Sequence, residues 1–99
     1  MSNAVMFISF NLAKGASVPD FLLASEKLHS EYMSKQKGYI SWKQLVEGDM
    51  WADLLTWETM GDAQSAMETS CTNEFAQKFF SFIDQGSVKM HLFSVERSY

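Results

Sequence analysis

Cysteine occurs once in the 99 residues, at Cys71. A lone thiol cannot close an internal disulfide, so the expected setting is reducing and cytoplasmic. Basic residues are also scarce: eight Lys and Arg stand against twelve Asp and Glu, for a net charge of −4. No basic cluster is available to neutralise phosphates, which argues against a nucleic-acid partner. No apolar run reaches the length of a membrane span, and no basic region precedes the apolar N-terminal stretch. A nucleophile elbow, a phosphate-binding glycine loop and a dinucleotide fingerprint are all missing. Linkers, repeats and low-complexity tracts are missing too, so residues 1–99 are expected to form a single domain. Ser2-Asn3-Ala4 is compatible with a tag remnant and with a native start.

Aromatic and sulfur-containing side chains are abundant instead. Eight Phe, three Trp, three Tyr and seven Met crowd a short chain. So small an interior cannot hide this much apolar surface, which implies a subunit interface.

The pattern along the chain alternates between strand and helix. Val5 to Leu12 (VMFISFNL) reads as a strand apolar on both faces, so both need cover. Ser17 starts a helix, with Pro19 in its first turn and Asp20 three residues on, a variant capping box. Stepping 100° per residue places Val18, Phe21, Leu22, Ser25, Leu28, His29, Tyr32, Met33 and Gln36 inward, and Gly38 ends the helix. Tyr39–Glu47 and Met50–Glu58 are two strands around the two-residue loop Gly48-Asp49, the mark of a tight hairpin. That loop pairs Ile40 with Trp57, Trp42 with Leu55, Gln44 with Asp53 and Val46 with Trp51, and Tyr39 with Glu58 on the other face. All three tryptophans then share one face, and a one-residue slip would scatter them. A helix capped at Thr59 carries Ala63, Ala66 and Met67 inward and breaks near Ser70-Cys71-Thr72. A second helical piece, 73–84, buries Phe75, Phe79, Phe82 and Ile83 and leaves Phe80 off the stripe. Gly86 ends it, and Val88–Arg97 is the last strand.

The order β-α-β-β-α-β, with the second helix broken, predicts an α+β, ferredoxin-like fold. It is a four-stranded antiparallel sheet with its helices on one face. The other face would be bare in a monomer, and sheet-to-sheet dimerisation would cover it.

Several residues could carry chemistry. His29, on the inner stripe between Ser25 and Tyr32, reads either as a satisfied core histidine or as a pocket-lining acid, base or orienting group. Gln44 and Asp53 form the one polar pair on the tryptophan face. It is either a solvated pair near the sheet edge or a polar anchor in an apolar pocket, and in either case it must be hydrogen-bonded or wet. Trp42 and Trp57 could flank a flat ligand or simply fill the core. Asn11 ends the first strand, and His91 falls on an edge strand or at an interface. His29, His91 and Asp53 lack any metal-ligand spacing, so no metal is expected. Cys71 has no local basic partner to make it a reactive thiolate.

The segments FNLAKG (10–15), KGYISW (37–42) and LLTWETMGDAQSAM (54–67) resemble the dimeric α/β barrel superfamily, within it the antibiotic biosynthesis monooxygenase-like proteins. The W-x-[ST]-x-x-x-[AF] junction of strand and helix is frequent there. The resemblance implies a homodimer whose two sheets close a barrel, with a pocket between sheet and helices in each subunit. Members include cofactor-independent quinone-forming oxygenases, haem-degrading enzymes and proteins with no known activity. Asn11 matches an asparagine of the haem-degrading members, but their tryptophan and histidine fall at Ala66 and near Ala76, so haem degradation is not expected. Two functions stay open. One is an enzyme without cofactor, oxygenating a small aromatic or polycyclic compound. His29 would be its base, Asn11 or Gln44 would bind the substrate oxygen, and Tyr32, Trp42, Asp53 and Trp57 would line the pocket. The other is a non-catalytic ligand-binding or structural dimer.

Overall fold

The computed structural model describes residues 3–99. Ser2, part of the tag-remnant reading, lies outside them. The elements follow the expected order: β1 (Ala4–Asn11), α1 (Val18–Glu31), β2 (Tyr39–Glu47), β3 (Met50–Trp57), α2 (Met60–Ser70), α3 (Glu74–Phe80) and β4 (Lys89–Ser94). The four strands form one antiparallel sheet in the order β2-β3-β1-β4, the ferredoxin-like arrangement. No described helix is long and apolar enough to cross a membrane.

Local chemistry accounts for the boundaries. Ser17 Oγ accepts the Asp20 N–H, Thr59 Oγ1 accepts the Asp62 N–H, and Asn73 Oδ1 accepts the Ala76 N–H. Each side-chain oxygen satisfies a donor that the helix leaves orphaned. Gly48 takes φ +58° at the hairpin tip, a conformation that glycine adopts without strain. The expected pairs from Ser41–Thr56 to Glu47–Met50 all occur.

The structure corrects the sequence reading in four places. First, the register shifts between Tyr39 and Ser41, so Tyr39 rather than Ile40 opposes Trp57. The extra residue turns Tyr39 to the covered face, where its ring meets Trp57 edge-on with centroids 5.8 Å apart, and leaves Ile40 exposed. Second, α1 stops at Glu31, well before Gly38, and a short 3-10 turn, Met33–Lys35, follows. Third, the buried stripe of α1 is Phe21, Ala24, Ser25 and Leu28, while Val18, Leu22 and His29 are exposed. The helix rolls toward its packing partner α3, which brings the small Ala24 inward. Fourth, α3 ends at Phe80 and β4 spans only Lys89–Ser94, because 3-10 geometry at Gln85–Ser87 intervenes.

One sheet face packs under the helices. Ala4, Met6 and Phe10 of β1 join Leu55 and Trp57 of β3 against Phe21, Leu28, Ala63, Ala66 and Phe79. Edge-to-face rings knit this layer: Phe21 meets Phe10 at 6.0 Å and Trp51 at 5.2 Å, and Trp42 meets Phe79 at 5.7 Å. The opposite face carries no helix. Leu45, Met50 and Phe93 are exposed there, and His91 of edge strand β4 stacks on Phe93. Phe7 and Leu54 pair across β1 and β3 on the same face, half-buried.

Candidate functional site

The site is built outward from Asp53. Strand β3 lies inside the sheet, with β1 on one side and β2 on the other. Its alternation turns Trp51, Asp53, Leu55 and Trp57 toward the helices. Asp53 opposes Ile8 of β1 and Gln44 of β2 and is only 4% exposed. Helices α2 and α3 roof it, and the alanines of α2 let that helix lie close.

Two hollows meet at this carboxyl. The inner one has a volume of about 50 Å³ and runs between the sheet and the helices, past Leu28, Tyr32, Trp42, Leu55, Trp57 and Ala66. The outer one, about 210 Å³, reaches the edge of the sheet at Val88 and Met90. Asp53, Ile8, Met67, Phe79 and Phe80 belong to both.

The electrostatics follow from that placement. Burial pushes the Asp53 carboxyl up to about 7, outweighing the neighbouring Trp42 indole N–H, which pulls the other way. Removing a carboxylate from water penalises its charged form, so the proton is held to higher pH. The contact with Trp42 falls short of hydrogen-bond geometry. Asp53 Oδ1, Trp42 Nε1 and Trp57 Nε1 are all buried without a hydrogen-bond partner. A buried polar group left unsatisfied costs about 1–3 kcal/mol. All three lie along one cavity, two donors and one titratable acid.

Four of the sequence candidates, Tyr32, Trp42, Asp53 and Trp57, therefore come together. Tyr32 is already committed, since its hydroxyl donates to the Ala66 carbonyl and also contacts Thr69 Oγ1. It ties the end of α1 to α2. The other three candidates lie elsewhere. Gln44 points toward α1 and donates to Ser25 Oγ at 2.9 Å, and Ser25 in turn donates to the Phe21 carbonyl. His29 stands exposed beside them in an open groove bordered by Trp42, with its ring 5.8 Å from that of Tyr39. Asn11 is exposed at the far end of β1, where its side chain donates to the Asp49 carbonyl and braces the hairpin tip. Sequence reasoning missed Phe80, which packs on Phe79 and lines both hollows. The adjacent pair Phe79-Phe80 was the available signal, because two neighbouring rings at a helix end need apolar surroundings on two sides. Among the described residues no group of three His, Cys, Asp or Glu could hold a metal ion.

A four-stranded antiparallel sheet with helices on one face and a hollow between the layers defines the class. The comparisons agree with it. The chain is similar in structure to SnoaB, a cofactor-independent oxygenase from Streptomyces nogalater, with a TM-score of 0.80 at 12% identity over 99% of this chain and 97% of that one. It is also similar to provisionally assigned antibiotic biosynthesis monooxygenases. The one from Bordetella bronchiseptica has a TM-score of 0.78 at 10% identity, covering 94% of this chain and 96% of that one. The one from Nitrosomonas europaea has a TM-score of 0.75 at 12% identity, covering 95% and 90%. No family model and no curated protein matches the sequence. The chain thus carries the ferredoxin-like fold of the antibiotic biosynthesis monooxygenase-like proteins, as its sequence resemblance implied. A shared fold does not specify a reaction.

Proposed function

We propose that the chain is a subunit of a homodimeric barrel that binds a planar hydroxyarene and oxygenates it without a cofactor, with Asp53 as the proton-transfer group. The observation that carries this reading is the Asp53 carboxyl, poised near neutrality in an apolar cavity beside two unpartnered indole N–H groups. The fold shared with a cofactor-independent oxygenase supports it. In this reading Asp53 takes the base role expected of His29, and Trp42 and Trp57, in place of Asn11 or Gln44, supply the hydrogen-bond donors of the site.

Asp53 carboxylate takes a proton from an activated aromatic methylene, whose tautomer is the hydroxyarene. The resulting anion gives one electron to dioxygen, the indole N–H groups on the wall of the inner hollow stabilise the negative charge that reaches the oxygen, and the radical pair combines to form a carbon–oxygen bond. The peroxide anion recovers the proton from Asp53, and loss of water leaves a carbonyl. In sum, one methylene and one dioxygen molecule give one carbonyl and one water. The substrate carbon supplies all four electrons, and dioxygen supplies the oxygen atoms of both the carbonyl and the water.

The bare sheet face, with Leu45, Met50 and Phe93 exposed, supports dimerisation through the sheets. The exposed, unpaired Cys71 supports a reducing, cytoplasmic setting. A second reading, a non-catalytic ligand-binding or structural dimer with a largely filled core, is favoured by the smallness of the inner hollow. Planar hydroxyarenes should be screened by thermal shift, and the hits then tested for oxygen consumption. Oxygen uptake that disappears in Asp53→Asn supports the first reading. Stabilisation without uptake supports the second.

A further inference from the structure

We infer that the inner hollow is a binding site for dioxygen, separate from the outer pocket that admits the organic substrate. The biological meaning of this site rests on the oxygenase reading, but its physical content does not. The two hollows differ about fourfold in volume, at about 50 and about 210 Å³. Apolar cavities of roughly 150 Å³ stay dry and take up benzene or xenon. The inner hollow is too small for an aromatic ring and has room for a diatomic molecule. Its wall is almost wholly apolar, formed by Met6, Leu28, Leu55 and Phe79 among others, with the three polar atoms recessed behind that surface. Water gains few hydrogen bonds there, whereas an apolar gas loses none on leaving solution.

The placement also suits the reaction. Asp53, Met67 and Phe79 border both hollows, so a gas molecule inside and a flat substrate outside meet at the carboxyl. Electron transfer from the substrate anion to dioxygen needs no further co-reactant. Ala66 and Ala76 line only the inner hollow, one from each roofing helix. A larger side chain at either position would fill the gas site and spare the outer pocket.

The probe is xenon, applied under pressure to crystals of the full chain. One xenon atom is expected in the inner hollow. A chamber without xenon, or one holding an ordered water on Trp42 Nε1 or Trp57 Nε1 that xenon does not displace, overturns the inference. Ala66→Val and Ala76→Val should each lose the xenon atom and raise the KM for oxygen severalfold. Hydroxyarene affinity measured under nitrogen should hold. A folded variant that lacks the xenon site but keeps its oxygen KM also overturns the inference. Should neither variant fold, the xenon result on the unmodified protein decides. Xenon binding with no oxygen uptake on any hydroxyarene defeats the oxygenase reading and leaves the gas site standing.

Discussion

Trp42 separates two regions that each hold a titratable side chain. On one side lies the inner hollow with Asp53, 4% exposed. On the other lies the open groove with His29, bordered by Ser25, Gln44 and Lys27. By residue type histidine is the better acid–base group at neutral pH. Here the environment reverses that ranking. Burial brings the aspartic acid up to about 7 and seats it beside two unpartnered donors. His29 has water around it and no enclosed space to act in. On the proposed reading, depth in the fold rather than side-chain identity selects the reactive group.

The largest test of this contrast is Asp53→Asn. The folded state holds the Asp53 proton to about pH 7, against an ordinary value of 3.8. The unfolded chain releases that proton first, so stability is full below about pH 4, falls between pH 4 and 7, and is flat above. The shift corresponds to roughly 4 kcal/mol lost across that window. After allowing for an unsatisfied amide, Asp53→Asn should be more stable than the unmodified protein by roughly 1–3 kcal/mol at pH 8. At pH 4 the order should reverse, with the variant the less stable by the cost of that amide. Urea unfolding at the two pH values measures both, and a variant less stable at pH 8 would break the contrast.

Tyr32→Phe comes next. Its hydroxyl borders the cavity but is spent on Ala66 and Thr69. The variant should lose about 1–2 kcal/mol in chemical denaturation and keep its hydroxyarene-induced thermal shift. A lost shift would give Tyr32 a direct role in binding.

On the groove side, Gln44→Ala removes the bond to Ser25 and should cost about 1 kcal/mol, again without changing the ligand response. His29→Ala should be smallest, within about 0.5 kcal/mol of the unmodified protein, with turnover retained. Loss of oxygen uptake in His29→Ala alone would restore the histidine as base and invert the comparison.

Much of this arrangement was legible in the sequence. Gly48-Asp49 set the hairpin, the hairpin set the register, and the register gathered Trp42, Trp51, Trp57 and Asp53 on one face. What was not legible depended on partners distant in the chain. The bulge at Ile40 has no local mark. The roll of α1 that exposes His29 is decided by α3, which lies some fifty residues away in the sequence, roughly counted from their midpoints. Gln44 and Asp53 looked alike as a cross-strand pair. Only the strand order separates them, placing Gln44 on edge strand β2 and Asp53 on inner strand β3.

The proposed role of Asp53 turns on its protonation, and a carbon-13 NMR titration of its side-chain carboxyl reads it directly. The expected midpoint lies near pH 7, in keeping with the value that burial imposes. A midpoint near the ordinary 3.8 would mean a solvated carboxylate and no poised acid in the cavity, and would contradict the proposed role of Asp53 outright.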